Sequence, residues 1–237
     1  MSKTLSKTFP RLFIETSTSL CALGLEDAEG AFFGFQELLE RNQHERILCE
    51  IQHLLMQAKL SASDLKSIVV GVGPGSFVGC RLAVAVAQGL ALAYDIPLLP
   101  LSSLQIGAQC YYEKYQEGAQ VLTQVLILND AKLGEVYQGL YHLDFKSQVM
   151  VPVKPDQALE LSELAQLLQE PGVDFFLTDH PEGLKSQMGF AGMPFEISAQ
   201  SMRALAQASV AGDFQGACDV NPVYLRAKSQ WVKKVVL

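Results

Sequence analysis

The sequence has few of the residues that bind metals or form redox centres. It contains four histidines and five cysteines among 237 residues, with no H-x-x-x-H, H-E-x-x-H or C-x-x-C spacing. Zinc clusters and redox dithiols use such short spacings, so the sequence predicts neither, and no histidine or cysteine is assigned as a metal ligand. The histidines are expected at or near the surface, and the cysteines are expected to be reduced thiols in a cytoplasmic protein.

Basic residues are also scarce, since 18 Lys and Arg face 25 Asp and Glu for a net charge of −7. A nucleic-acid interface needs clustered basic residues to neutralise phosphates, so we expect the chain to reach RNA only through a partner. Residues 224–234 interleave four basic with two aromatic residues, which allows an RNA contact. The alternative for this stretch, a solvated tail, is favoured by the acidic character of the whole chain.

Long apolar runs are absent. The longest, residues 82–94, is interrupted by Gln88 and is shorter than the ~20 residues of a membrane span. The first 11 residues lack the apolar core of a secretory signal. We therefore expect no membrane association, a cytoplasmic location and a short disordered tail over residues 1–10.

Two similar halves follow this tail. Three short apolar runs in residues 11–39 predict an antiparallel meander, and apolar residues at spacings of three and four predict an amphipathic helix over 42–59. A strand, a helix over 77–94, a strand and a helix over 104–114 come next. The second half repeats the order without its middle helix. The sequence thus predicts an α/β protein with mixed sheets flanked by helices, in an N-terminal lobe (11–115) and a reduced C-terminal lobe (116–237).

A glycine-rich turn, GVGPGSFVGC, connects a buried strand to the helix over 77–94. It lacks the Lys of a P-loop, places Ser76 where a Rossmann turn needs Gly, and lacks the G-x-S-x-G spacing of a hydrolase elbow. Main-chain amides at this helix start could hold an anion. The favoured interpretation is a tight turn in which Ser76 caps the helix.

The helix over 77–94 is apolar on nearly all sides, with small residues at every fourth position. Such a ridge lets another backbone approach closely. The helix is either a core helix within its own lobe or, with the helix over 42–59, part of a protein interface. The interface interpretation predicts these contact residues: His44, Ile47, Leu48, Ile51, Leu55, Phe77, Gly79, Ala83, Val86, Ala87 and Leu90.

Acidic residues end the first strand of each half. Glu15 stands beside Thr16 and Ser17, and Asp130 ends the corresponding strand of the second half. If both face one cleft near Gly75 and Ser76, they could hold a ligand such as Mg²⁺ with its waters. The alternative is that these carboxylates and hydroxyls cap turns.

Five segments carry a resemblance to a known family: FIETSTS, RNQHERIL, GVGPGSFVGCRLAVAVAQGLAL, NDAKLGEVYQGLY and PVYLRAKSQW. In this order they resemble the bacterial TsaB (YeaZ-type) family of the actin-like ATPase (ASKHA, ribonuclease H-like) superfamily. The resemblance implies two actin-like lobes, the second reduced. It also implies a role in making the threonylcarbamoyl modification of the adenosine beside the tRNA anticodon.

The resemblance further implies a non-catalytic subunit. Members of the family bind TsaD, which transfers the threonylcarbamoyl group, and TsaE joins as an ATPase. We therefore expect direct binding to TsaD through the two helices, a homodimer when TsaD is absent, and only indirect contact with tRNA. No cofactor is expected for this chain alone, although ATP and Mg²⁺ can act in the assembled complex.

Three departures from the family pattern weaken any assignment of nucleotide chemistry. Glu15 replaces the usual Asp, Val78 replaces a Thr, and Lys132 replaces an Arg. Two enzymatic alternatives remain open. One is a glycoprotease-like peptidase using Ser76, and the other is a small-molecule kinase, which the actin-like fold suggests but which usually needs about twice this length.

Overall fold

The computed structural model describes residues 9–39, 42–115, 124–132, 134–160, 163, 176–178, 193–194 and 196–225. Within these ranges the helices are α1 (Gln43–Gln57), α2 (Phe77–Tyr94), α3 (Ser103–Tyr115) and α4 (Ala199–Ala208). The strands are β1 (Arg11–Glu15), β2 (Leu20–Glu26), β3 (Phe32–Leu38), β4 (Ser67–Gly71), β5 (Leu98–Leu101), β6 (Gln124–Lys132), β7 (Glu135–Asp144), β8 (Val149–Pro152), β9 (Gln157–Glu160), β10 (Phe176–Thr178) and β11 (Met193–Pro194).

The first sheet has the strand order β3-β2-β1-β4-β5. β1, β2 and β3 form the antiparallel meander predicted for residues 11–39, and β4 and β5 extend the sheet in parallel. Every residue of β1 and β4 is buried, as central strands covered on both faces require. Because β1 and β4 run parallel, their carboxyl ends lie side by side, next to the start of α2.

The second sheet repeats this order. β6, β7 and β8 form a meander, β10 and β11 add in parallel, and β9 also pairs with β7. From β8 to β11 the order matches that from β3 to β5. The predicted fold class is confirmed: an α/β protein with mixed sheets flanked by helices, in which the two sheets share one strand order.

One face of the first sheet is covered by α1 and α2. α1 contributes Ile47, Ile51 and Leu54 to this core, and α2 contributes Ala83 and Ala87. By length and composition, α2 is the one helix in the described residues that could cross a membrane. Here its small residues let it lie close against the sheet.

The opposite face of the first sheet is covered by α4, from the second half of the chain. Met202, Leu205 and Ala206 of α4 form one core cluster with Phe13 and Val69 of the sheet. Conversely, α3 from the first half of the chain packs on the second sheet. Each half thus shields the other, and the lobe boundary at 115/116 stays a prediction.

The predicted tail over residues 1–10 falls outside the described residues as far as position 8. Its last residue does not fit the expectation of disorder, because Pro10 is buried and its carbonyl oxygen accepts a hydrogen bond from the Lys66 amide at 2.8 Å. This contact holds the start of β1 beside the start of β4. The basic and aromatic residues after position 225 also lie outside the described residues.

Candidate functional site

Six of the predicted interface residues are buried inside the chain and cannot contact a partner. The small-residue ridge of α2 faces its own sheet: a Cβ at Gly79 would lie 1.9 Å from the Thr16 carbonyl oxygen. The α1 residues belong to the same core. The interface prediction is therefore corrected for Ile47, Ile51, Leu55, Gly79, Ala83 and Ala87.

The other predicted interface residues are accessible to different degrees. His44, Leu48 and Phe77 are exposed, whereas Val86 and Leu90 are partly buried against the core. The role of these five residues as partner contacts stays a prediction. The structure thus divides the predicted set by helix face, which the sequence interpretation did not do.

The solvent side of α1 and α2 carries a different set of apolar residues. Leu48 is 60% exposed, Val78 is 71% exposed and Leu92 is 66% exposed, and Val78, Ala85 and Leu92 recur every seven residues along α2. Large apolar side chains exposed together are typical of interaction surfaces. We call this surface the outer face, formed by Leu48, Met56, Val78, Ala85, Gly89 and Leu92.

Gly89 lies in the middle of α2 on the outer face. A glycine inside a helix costs about 0.5–1 kcal/mol relative to alanine. No contact in the described fold requires a glycine at this position, since an added Cβ would meet no atom within 4 Å. A helix packed closely against the outer face would supply a reason for it.

The predicted cleft residues Glu15, Thr16, Ser17, Gly75 and Ser76 come together where β1 ends and α2 begins. The Thr16 hydroxyl donates to the Gly79 carbonyl oxygen at 2.8 Å, and the Ser76 amide donates to the Ser17 carbonyl oxygen at 2.6 Å. A Cβ at Gly75 would lie 2.6 Å from that same oxygen. The turn is packed against β1.

Glu15 is the buried centre of this cluster. Its Oε1 accepts a hydrogen bond from the Ser17 amide at 2.5 Å, and its Oε2 accepts one from the Ser103 hydroxyl at 2.7 Å. The Ser103 oxygen in turn accepts from the Gly73 amide at 3.1 Å. Burial raises the pKa of the Glu15 carboxyl, although the hydrogen bonds from Ser103 and Ser17 lower it.

The Glu15 cluster does not fit a magnesium ion. Magnesium needs accessible oxygen ligands and room for several waters. Both carboxylate oxygens of Glu15 already accept hydrogen bonds, and Gly71 leaves so little space that a Cβ there would lie 1.8 Å from Oε2. The arrangement corresponds to turn capping, the alternative interpretation of these residues.

Asp130 does not join the Glu15 cluster through any contact that the described residues make. It lies in the second sheet, at an irregularity between Asp130 and Lys132 in the pairing of β6 with β7. Its carboxylate accepts hydrogen bonds from the Lys132 amide at 2.7 Å and from Lys132 Nζ at 2.5 Å. In the described residues no group of three or more His, Cys, Asp or Glu is placed to hold a metal.

The raised pKa of Glu15 predicts a pH dependence of stability. The native carboxyl keeps its proton at a pH where the unfolded one, with an ordinary pKa near 4.5, has lost it. Native stability therefore falls as the pH rises above about 4.5, by at most about 1.4 kcal/mol per pH unit. Urea unfolding between pH 4.5 and 8 is expected to show this fall, and Glu15→Gln is expected to flatten it. Parallel curves for both proteins would contradict the prediction.

A partly buried carboxylate, Asp156, was missed by the sequence analysis. Asp156 accepts hydrogen bonds from the Ser102 hydroxyl at 2.5 Å and the Tyr141 hydroxyl at 2.6 Å, and burial raises its pKa. A Cβ at Gly139 would lie 2.6 Å from Asp156 Oδ1. This network ties the start of α3 to the second sheet. Ser102 also accepts hydrogen bonds from two amides of the first turn of α3 and so caps this helix. A serine just before the predicted helix was the one signal in the sequence that pointed to this network.

The residues of the peptidase alternative have other partners. The Ser76 hydroxyl accepts a hydrogen bond from the Gly79 amide at 3.3 Å, so the predicted helix cap is confirmed. His53 lies 3.1 Å from Glu50, and His44 lies 3.9 Å from its neighbour Glu45, all on α1. His180 lies outside the described residues.

A cavity of about 820 Å³ lies between β5, the turn from β7 to β8 and the end of α4. Its lining includes Leu99, Leu101, Val149 and Leu205, with Lys146 among its polar residues. None of the residues predicted for the cleft lines it. The cavity and the predicted cleft are therefore separate features of the described structure.

Comparisons with known proteins agree with this fold. The family model described as TsaD, tRNA N6-adenosine threonylcarbamoyltransferase, matches residues 36–232. TsaB from Bacillus subtilis is 29% identical over 94% of this chain and 97% of its own length. TsaB from Escherichia coli is 38% identical over 56% of this chain. That alignment spans about half of the E. coli protein, 55% of its length.

A solved structure, YeaZ from Pseudomonas aeruginosa, superposes with a TM-score of 0.76 at 28% identity, covering 91% of this chain and 99% of that one. A second P. aeruginosa structure, described as similar to peptidase YEAZ, gives a TM-score of 0.77. Fold and matches together define a two-sheet α/β protein of the TsaD family. Within that family, the chain belongs to the TsaB (YeaZ) group.

Proposed function

We propose that this chain is a subunit of the machinery that makes threonylcarbamoyladenosine in tRNA, and that it binds a TsaD-type transferase through the outer face. The observation that carries the proposal is the apolar outer face, which the described part of the chain leaves uncovered. The biological process is inferred from relatives that are named for threonylcarbamoyladenosine biosynthesis.

Shared ancestry with the transferase supports the mode of binding. Because a model of the TsaD family matches residues 36–232, which contain α1 and α2, a TsaD-type partner is expected to carry an equivalent helix pair. Two such pairs can pack face to face as four helices. An interface of this kind reaches the ~1,600 Å² of a standard stable complex when about 800 Å² of each partner is covered.

We propose no catalytic residue in this chain. Glu15 holds its own turn in place, and Ser76 caps α2. In this proposal ATP and Mg²⁺ act in the assembled complex, where a TsaE-type ATPase joins, and tRNA is contacted through the partners. The outer face also allows a homodimer when the transferase is absent. The proposed location is the cytoplasm.

The test uses Gly89→Phe, which places a bulky ring on the outer face. Because an added side chain meets open space in the monomer, the thermal unfolding of the variant should stay within a few degrees of that of the unchanged chain. Co-purification with the TsaD-type subunit from the same organism is expected to be lost. Threonylcarbamoyladenosine in tRNA, measured by mass spectrometry in cells that carry only the variant, is expected to fall strongly.

Gly212→Phe is the matched control, because an added Cβ at Gly212 also meets no atom within 4 Å and the residue lies away from α1 and α2. This variant should bind the transferase normally. Binding of Gly89→Phe at the level of the unchanged chain would overturn the proposed interface. Ala83→Trp, which the sequence interpretation would choose, is unsuitable because Ala83 is fully buried.

A further inference from the structure

The outer face surrounds a cation that is held in place and has no counter-ion among the described residues. Arg81 lies on α2 between Val78 and Ala85. Its Nε donates to the Tyr224 hydroxyl at 2.7 Å, and its guanidinium carbon lies 3.6 Å from the centre of the Phe77 ring. The two rings lie 5.8 Å apart. Arg81 is the one charged residue of α2.

This arrangement prepares the Arg81 guanidinium to bind an anion. The contacts with Phe77 and Tyr224 use its face and its Nε, so the N–H groups on its two terminal nitrogens remain as donors in the described structure. A planar guanidinium binds a carboxylate through two parallel hydrogen bonds. Because stacking already restricts the side chain, binding costs less conformational entropy than it does for a free arginine.

We propose that Arg81, held by Phe77 and Tyr224, is the anchor of the outer face and binds a carboxylate side chain of the TsaD-type partner. This inference rests on the proposed function. Val78 and Ala85 flank Arg81 on the same exposed stripe, so a partner that covers them excludes water from the ion pair and strengthens it. Arginine and tyrosine are also the residue types that most often dominate binding energy in interfaces.

An RNA phosphate is the other anion of suitable chemistry. A protein carboxylate is favoured because the residues around Arg81 on α2 are apolar, whereas phosphate-binding surfaces cluster several basic residues. The net charge of −7 also opposes RNA binding. The carboxylate proposal therefore uses the apolar surroundings of Arg81 and its place as the one charged residue of α2.

The experiment measures the dissociation constant of the complex with the purified TsaD-type subunit. Arg81→Met removes the charge but keeps much of the stem, and it is expected to raise the constant about 30-fold or more. Arg81→Lys should restore little, because an ammonium group cannot form the paired hydrogen bonds. Tyr224→Phe should weaken binding several-fold. Lys146→Met, in the turn between β7 and β8, is the control and should bind normally.

The outcomes separate this inference from the proposed function. Loss of binding by Gly89→Phe together with normal binding by Arg81→Met would overturn the anchor and leave the interface standing. Normal binding of the transferase by Arg81→Met, with weaker binding of tRNA by the assembled complex, would assign Arg81 to RNA and also overturn the anchor. Thermal unfolding of each variant should match that of the unchanged chain, since Arg81 is exposed.

Discussion

Arg203→Ala is expected to lower the free energy of unfolding by about 3 kcal/mol. The Arg203 Nε donates to Glu26 Oε1 at 2.7 Å, and only 2% of the Glu26 side chain is exposed. Arg203 also donates to the Gly30 carbonyl oxygen at 3.1 Å. Removing Arg203 leaves a buried carboxylate without this partner, which is strongly destabilising. Because Arg203 lies on α4, its loss also loosens the cover of the first sheet. Urea unfolding of both proteins at pH 7 measures the difference.

Arg46→Ala is the matched control for Arg203→Ala. Arg46 also pairs with carboxylates, lying 3.2 Å from Glu37 and 2.7 Å from Glu50, but its side chain is 42% exposed. Ion pairs in contact with water contribute little to stability, so this variant should lose much less than Arg203→Ala. Equal losses for the two variants would show that the burial of Glu26 does not set the strength of its ion pair.

Gly71→Ala is expected to destabilise the chain by about 3–5 kcal/mol. The added Cβ would lie 1.8 Å from Glu15 Oε2 and 2.5 Å from the carboxyl carbon. Glu15 has no free space to move into, since it is fully buried and bound by Ser17 and Ser103. Displacing it combines overpacking with broken buried hydrogen bonds. Thermal and urea unfolding of the variant measure the loss.

A shorter acid is expected to rescue Gly71→Ala. Glu15→Asp withdraws the carboxylate by one methylene and frees the volume that the new methyl group needs. The double variant should therefore be more stable than Gly71→Ala alone, and the two changes should not be additive. An additive pair would show that the steric conflict involves other atoms. Gly212→Ala, where the added Cβ meets open space, should change little.

Local patterns were sufficient to predict most of the described elements of the fold, although β9 was missed. The apolar period over 42–59 predicted α1, and the glycine-rich turn followed by a long run of small and apolar residues predicted α2 with Ser76 as its cap. These predictions depend on contacts within a few residues, which the sequence displays directly. The repeated order of strands and helices in the two halves was enough to predict the second sheet.

The orientation of α2 and the long-range polar contacts could not be predicted in the same way. A helix that is apolar on nearly all sides does not reveal which side meets the sheet, so Ala83 and Ala87 were assigned to the wrong side. The pairs Glu26–Arg203 and Ser102–Asp156 join residues that are far apart in sequence. No periodicity connects such residues, and only the folded topology brings them together.

The reciprocal packing of α3 and α4 means that the two halves are not separable modules. A fragment ending near residue 115 would keep β1 to β5 but expose Phe13, Val69 and Leu99 to water. The α4 residues that cover them lie far downstream in the second half of the chain. Any shortening of the second half must therefore spare the stretch that holds Met202 and Leu205. The first half depends on the second sheet in the same way, because this sheet covers Leu104, Ala108 and Tyr111 of α3.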